Sequence, residues 1–332
     1  MLLRRLWLAS ALLAPMNVDA QATPRWVVGG EEDVATQLGR FRSVAATPRL
    51  FVVLEGDTPF IKVFDYSGRL VQSIGRAGSG PGEFRAPSSV TFDASQQRVF
   101  VVDPSNARVT VYAVSDSLAS ARFLTLEDIG IQSLCTLGVR LFGLARNAPT
   151  IIRELRESAT TLNVSASFGE PRTNHPHGSH PFVRTRASDG PLKCDESGNR
   201  IVAASSILGE VHVFDAATRA QSTTPIPGFE RLTITVDNNS MTMAPPEAGF
   251  DVILDIVGWD GALQAVTERS KPAPGGPPVS VGFSITPIRA RGPEQVSSRR
   301  TWRPLAQTNV GSLCAVSDPA PTIALFSGNT CP

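Results

Sequence analysis

Three imidazoles fall within six residues at His175-Pro176-His177-Gly178-Ser179-His180. Neutral imidazole nitrogens are ligands for borderline metals, so His175, His177 and His180 could hold Zn²⁺ or Cu²⁺. No carboxylate stands beside them as an obvious fourth ligand, although Glu170 and Asp189 flank the segment. Pro176 stiffens the spacing and the stretch is polar, so a solvated loop tip is the competing and preferred reading. Three carboxylates, Asp93, Asp195 and Asp237, recur at similar places and could serve as Ca²⁺ ligands. The same positions suit the aspartate of an ordinary β-turn, which is favoured here. Gly78-Ser79-Gly80-Pro81-Gly82 lacks the GxxxxGK[ST] order of a phosphate loop. No Gly-x-Ser-x-Gly elbow is present, and His212 is the only histidine outside the cluster. It falls in a strand that reads as an outer one, on the surface or between sheets. The acidic pairs Glu31-Glu32 and Glu154/Glu157 read as surface charge. No complete catalytic constellation emerges.

Four cysteines, Cys135, Cys194, Cys314 and Cys331, form an even set. The N-terminus sets their compartment. Arg4 and Arg5 precede the apolar run from Leu6 to Ala14, and Ala20-Gln21-Ala22 offers a small-x-small cleavage site. That pattern predicts a signal peptide over 1–22 and a periplasmic or secreted protein. The run is shorter than the ~20 residues that span a bilayer, and no later segment is long enough. Exported chains with even cysteine counts form disulfides. Cys135–Cys194 is the favoured first pair, because both sit at similar places in neighbouring repeats. Cys314–Cys331 would close a short C-terminal loop.

With 31 basic and 30 acidic side chains the net charge is +1. A nucleic-acid partner would need a broad basic surface, which this balance excludes. Hydrophobic residues at 42% fit a folded globular chain. The 26 prolines and 7% aromatics argue against a large helical bundle.

The elements that must position these residues repeat along the chain. Leu50-Phe51-Val52-Val53 is followed by Ile61-Lys62-Val63-Phe64-Asp65, a turn at Ser67-Gly68, and Leu70-Val71-Gln72-Ser73-Ile74. The order recurs at Val99–Val102 and Val109–Tyr112, at Leu141–Leu144 and Thr150–Ile152, and at Ile201–Ala204 and Val211–Asp215. A fifth copy is read from Met241-Thr242-Met243 into Leu254–Val257, with Asp260-Gly261-Ala262-Leu263 echoing Ser67-Gly68-Arg69-Leu70. Taking Phe51, Phe100, Phe142, Val202 and Met241 as equivalent gives separations of 49, 42, 60 and 39 residues. Four short strands and their turns fill such a period, which is the size of a β-propeller blade. The chain after residue 22 holds about six and a half periods, so six blades are expected, with seven as the alternative. Trp26-Val27-Val28 is the candidate strand that closes the ring onto the segment holding Ile323–Phe326. A polar insertion covers 169–191. The Pro/Gly run from Lys271 to Pro278 reads as a turn or linker, opening an atypical last blade over 271–332.

One stretch carries a family signature. Gly75-Arg76-Ala77-Gly78-Ser79-Gly80-Pro81-Gly82-Glu83-Phe84-Arg85-Ala86-Pro87 is followed by Val90, Phe92-Asp93, Arg98–Asp103, Asn106, Arg108-Val109 and Val111-Tyr112. This closely resembles an NHL repeat of the TolB-like, six-bladed β-propeller proteins exported by bacteria. The likeness is specific over 50–112, fair over 195–215 and 250–263, and poor elsewhere. Blade three lacks the Asp…Asn…Arg pattern. The resemblance implies an all-β, NHL-like propeller whose blades each have four antiparallel strands.

The residues make sense without the family. The glycines permit an irregular crossing between blades. Phe84 can plug the wedge between blades, Pro87 fixes the start of the innermost strand, and Asp103 and Asn106 bracket a turn with Arg108 in reach of Asp103. The function expected is a monomeric, non-catalytic scaffold without a required cofactor, binding a protein, peptide or glycan. Its rim is assigned to Arg76, Arg85, Arg108, His175, His177 and His180. The alternative is a metal-dependent lyase or lactonase-type hydrolase using Zn²⁺ or Ca²⁺ in the central channel.

Overall fold

The computed structural model describes residues 23–30, 36–146, 148–238, 240–259, 261–289, 292–293, 300–316, 320–328 and 331–332. The export signal read over 1–22 and the pair Glu31-Glu32 lie outside the described residues, as do Asn239 and Asp260.

Strand β1 (Pro24–Gly29) precedes a sheet of β2 (Phe41–Ala46), β3 (Leu50–Glu55), β4 (Ile61–Asp65) and β5 (Leu70–Ile74). A short parallel pair, β6 (Arg76–Ala77) and β7 (Glu83–Phe84), carries the chain across. The second sheet is β8 (Ser89–Asp93), β9 (Arg98–Asp103), β10 (Arg108–Val114) and β11 (Leu118–Leu126). The third is β12 (Ile131–Leu137), β13 (Arg140–Ala145), β14 (Ile152–Glu157) and β15 (Thr161–Phe168). Helix α1 (Pro181–Arg186) lies in the next crossing, before β16 (Leu192–Asp195), β17 (Arg200–Ser205), β18 (Glu210–Asp215) and β19 (Gln221–Pro225). A separate hairpin, β20 (Thr233–Val236) and β21 (Met241–Ala244), precedes β22 (Phe250–Trp259), β23 (Ala262–Ala273), β24 (Gly276–Arg289) and β25 (Gly292–Pro293). The last sheet is β26 (Arg303–Thr308), β27 (Gly311–Val316) and β28 (Thr322–Phe326), completed by β1, which pairs antiparallel with β28.

These six antiparallel four-stranded sheets form a six-bladed β-propeller, closed by a strand from each end of the chain. Blades two and three also touch at their outer edges, where β11 meets β15 in parallel. Six apolar cores fill the ring, one in each space between neighbouring blades. This placement explains the run-like sequence of the second strands. Leu50-Phe51-Val52-Val53-Leu54 and Val99-Phe100-Val101-Val102 are buried throughout, because each faces a neighbouring blade on both sides. The described residues hold no helix long and apolar enough to cross a membrane.

Successive strands alternate in direction. The crossings between blades and the turns between second and third strands therefore emerge on one face. Bonds on this face confirm it: Asn106 Nδ2 donates to the Gly78 carbonyl at 3.0 Å, and the Ser206 amide donates to the Asp189 carbonyl at 2.9 Å. Gly75 and Gly78, at φ +94° and +150°, shape the first crossing. A Cβ on Gly75 would stand 2.8 Å from the Phe84 ring, which is fully buried in the wedge between blades one and two.

Blade five corrects the sequence reading. Met241 lies in the separate hairpin, not on a second blade strand, and the blade begins at Phe250. Gly261 turns the first strand into the second, whereas Ser67-Gly68 turns the third into the fourth. Of the two readings of the Pro/Gly run, turn or linker, the turn holds, but the run does not open the last blade. It forms the tip of the long β23–β24 hairpin, with Pro274-Gly275 between the paired Ala273 and Gly276. Gly275 at φ +70° after a proline suits the centre of a type II turn. The remaining prolines sit near the hairpin's irregular end, where the register shifts and a missing N–H is tolerated. Blade six is therefore assembled from 303–326 and 24–29.

Candidate functional site

The first strands β2, β8, β12, β16, β22 and β26 surround a central cavity of about 570 Å³. A first strand has one edge facing the channel, so its polar groups need partners from neighbouring blades. Side chains supply several. Ser88 Oγ donates to the Gln132 carbonyl at 2.6 Å, and Thr91 Oγ1 to the Leu134 carbonyl at 2.7 Å. Ser43 Oγ reaches the Val90 carbonyl at 3.4 Å. Between blades three and four the link is covalent: Cys135 on β12 and Cys194 on β16 form a disulfide in the channel wall. Cys314 on β27 is joined to Cys331 in the tail. Both pairings agree with those favoured from the sequence.

Three basic and three acidic side chains border the channel: Arg42, Arg146 and Lys193, and Asp189, Glu196 and Asp255. Asp189 accepts from Arg146 and, at 2.7 Å, from Arg186. Glu196 accepts from the Gly138 amide at 3.2 Å. Burial holds the Asp255 carboxyl above its usual range, opposed by Arg303 at 3.5 Å and by the charge of Lys193. Among the described residues no three His, Cys, Asp or Glu side chains stand together as a metal-binding group. Of these charged residues the sequence reading singles out only Asp189, as a flank of the histidine cluster; Arg42, Lys193 and Asp255 carry the signal of standing on a first strand, whereas Arg146 and Glu196 stand in turns.

The recurring aspartates are turn residues. Asp93-Ala94-Ser95-Gln96-Gln97-Arg98 and Asp195-Glu196-Ser197-Gly198-Asn199-Arg200 share one arrangement. Asp93 accepts from Ser95 Oγ at 2.6 Å and from Arg98 Nε at 2.9 Å. Asp195 accepts from Ser197 Oγ at 2.6 Å and from Arg200 Nε at 3.0 Å. Asp237 accepts from the Ser240 amide at 2.7 Å within the β20–β21 hairpin. Glu154 and Glu157 are held by Arg140 and Arg98 at 2.9 and 2.7 Å.

The rim arginines gather on the first crossing. Arg76 Nε meets Glu83 at 2.8 Å. Arg85 Nη2 donates to Ser79 Oγ and Arg108 Nη1 to the Ser79 carbonyl, both at 2.9 Å. The expected Arg108–Asp103 pair is replaced. Arg108 also donates to the carbonyls of Gly80 and Glu83 and covers the Phe123 ring at 4.8 Å, bracing the crossing. Asp103 instead accepts from the amides of Arg85 and Ala86, at 3.0 and 3.1 Å, and from Asn106 Nδ2 at 2.7 Å. The crossing leaves several N–H groups without strand partners, and a carboxylate is the stronger acceptor for them.

The histidines lie on the same face in the 169–191 crossing. The His175 and His177 rings are 5.7 Å apart, and His175 Nδ1 accepts from the His177 amide at 3.2 Å. Burial, then the nearby Arg231 charge, lowers the His175 pKa. His180 turns away, its Nε2 2.8 Å from the Asp237 carbonyl. The three rings are thus not brought to one point. His212 is not a surface residue. It is fully buried, bonded to Thr223 Oγ1 and to the Ala187 carbonyl, both at 3.0 Å.

A feature unseen in the sequence is a cap on blade four. Val183 and Ala187 of the 169–191 crossing pack with Leu208 and with Ile234 of the β20–β21 hairpin. Each insertion is too short for a core of its own; together they share one. Phe182 and Met243 remain exposed on them, at 44% and 40%, and Val279 and Val281 are exposed on the projecting β23–β24 hairpin.

The architecture defines a β-propeller, and the comparisons agree. The family described as 6-bladed beta-propeller, DUF5128, matches residues 36–134. No curated protein matches the chain. Among solved structures, a presumed exported protein from Bacteroides fragilis NCTC 9343 is similar at 10% identity and TM-score 0.51, covering 96% of this chain and 98% of that one. A member of the duf4221 family from Bacteroides vulgatus ATCC 8482 is 10% identical at TM-score 0.54, covering 93% and 98%. A chain of the mitotic checkpoint complex is 13% identical at TM-score 0.54, covering 99% of each. At such identities the likeness is one of fold.

Proposed function

We propose that this chain is an exported, non-catalytic propeller scaffold that binds a protein, peptide or glycan partner on its crossing-loop face. The observation that carries the reading is the cap. Two insertions are folded together over blade four, and they present Phe182 and Met243 to solvent. Exposed apolar groups on a rigid frame are the usual material of an interaction surface. Export is supported by the two disulfides and by the leader-like sequence of residues 1–22.

The test is crosslinking in the native envelope followed by affinity measurement with the captured partner. Replacing Phe182 and Met243 by Asp should weaken binding at least about tenfold, because buried charge opposes an apolar contact. A triple Arg76→Ala, Arg85→Ala, His177→Ala variant tests the rim in the same assay. Partner capture unchanged by both variants would overturn the reading.

A further inference from the structure

We propose that the central channel binds a small organic dianion, a dicarboxylate in its simplest form. The cavity of about 570 Å³ enclosed by the first strands lies within the range of small-molecule sites. Two of the cations that line it are exposed and open to a ligand. Arg42 on β2 donates from Nη1 to the Pro87 carbonyl at 3.1 Å, and among the described residues its guanidinium makes no other bond. That bond holds the side chain at the channel and leaves the rest of its donor fork free. Lys193 on β16 makes no hydrogen bond or ion pair among the described residues.

The carboxylates around the channel are already taken. Asp189 is shared by Arg146 and Arg186. Asp255 is paired with Arg303, and the charge of Lys193 acts on it as well. Each of these carboxylates thus answers two cations, which leaves positive charge over. Arg42 pairs with no carboxylate among the described residues. Glu196 is bonded to the Gly138 amide in the turn beyond β16, at the face opposite the crossing loops.

The charges select the class. A cationic ligand would be repelled by the excess, and an apolar one would desolvate Arg42 and Lys193 without a partner for either. An anion answers them. Their placement sets its shape. Blades one and four are opposite one another in a ring of six, so the two cations stand on facing walls. They also differ in depth. Counted from the turns that close Thr47 onto Leu50 and Asp195 onto Arg200, Lys193 is level with Ala45, three residues beyond Arg42. At ~3.3 Å per residue that is about 10 Å along the strands. A compact anion does not answer both, whereas a ligand with a carboxylate at each end does. The Arg42 fork suits one carboxylate and the Lys193 point charge the other. Val44, Ala46 and Ala306 line the same cavity with part of their surface open, which suits a hydrocarbon spacer. This site is distinct from the loop-face surface proposed above.

The experiment is calorimetric titration of the mature protein, both disulfides intact, with the aliphatic dicarboxylates from succinate to suberate. Butyrate, succinamide and sulfate serve as the monoanionic, neutral and compact comparisons. At least one dicarboxylate should bind saturably, more tightly than any comparison compound, and more weakly as salt is raised. Lys193→Gln and Arg42→Gln should each weaken that binding about tenfold, and Lys193→Arg should retain it. The Lys193 side chain makes no bond among the described residues, so Lys193→Gln should keep the thermal midpoint of the parent, which separates lost binding from lost fold. Absence of saturable binding by every dicarboxylate overturns the proposal. So does binding that either Gln variant leaves unchanged, or butyrate, succinamide or sulfate binding as tightly as the best dicarboxylate. The Phe182 and Met243 variants should leave the titration unaltered, so either site can fail without the other.

Discussion

His212 stands on the third strand of blade four with both ring nitrogens engaged and no contact with water. Burial pushes its pKa down from 6.5 to about 4, so the ring is neutral in the folded protein. The unfolded chain takes up this proton near pH 6.5, the folded chain only near 4. Between those values the unfolded state binds more protons, and stability falls as pH falls. The contribution is fully present above pH 6.5, and about 3 kcal/mol of it is lost by pH 4. Denaturant midpoints of the parent and His212→Gln should therefore differ most at neutral pH and converge towards pH 4. A difference that stays constant with pH would mean that His212 has the same pKa in the folded and unfolded chain. The same residue shows a limit of reading from sequence. Its strand was legible from Val211-His212-Val213-Phe214, but its burial depends on Ala187, twenty-five positions away in the insertion that covers it.

At the scale of elements, what could be read depended on whether the local chain decides its own fate. The Gly-Pro-Gly-Glu-Phe crossing was legible because its glycines and Phe84 act within a few residues of one another. The buried second strands were legible because burial on both faces leaves an apolar run. Blade five was misread for the converse reason. Met241-Thr242-Met243 has the length of a blade strand, and only tertiary pairing decides that it joins β20 instead of a blade. Proline disfavours a strand interior but not a hairpin tip, so the run from Lys271 was read as a turn or linker opening a new blade, and the long hairpin that it closes was missed. The cysteine pairs were legible from repeat position and from the short C-terminal spacing. They also differ in what they hold. Cys135–Cys194 spans 59 positions and ties two first strands at the channel. Cys314–Cys331 spans 17 and pins the tail, whose Pro332 carbonyl accepts from the amides of Thr301 and Trp302. Loop-closure entropy assigns about 4 kcal/mol to the first and about 3 kcal/mol to the second. Paired Cys→Ser variants should lower the unfolding free energy in that order, read by denaturant titration without reductant. Equal losses, or none, would contradict the chain-entropy account.

For the whole molecule the decisive contact is the one between the chain ends. β1 pairs with β28 from Pro24 to Gly29, and Trp26 reaches past its own blade. Its ring stacks on Phe51 of blade one at 5.4 Å, and its Nε1 donates to the Tyr66 carbonyl at 2.8 Å. The strand is thus both the outer edge of blade six and part of the interface with blade one. A linear array of blades would be a row of nearest neighbours, able to fray from either end. Closing the row gives every blade two partners, so opening any one interface exposes two faces at once. Unfolding should then be a single transition, and deletion of 24–29 should break it. The expected result is a lower midpoint, a shallower denaturant dependence, and early loss of amide protection in blades one and six relative to blades three and four. Blades three and four are the informative internal standard, since the Cys135–Cys194 disulfide ties them independently of the closure. If the deletion variant kept one sharp transition with uniform protection, closure would be a feature of shape alone, and the six interfaces would already be cooperative without it.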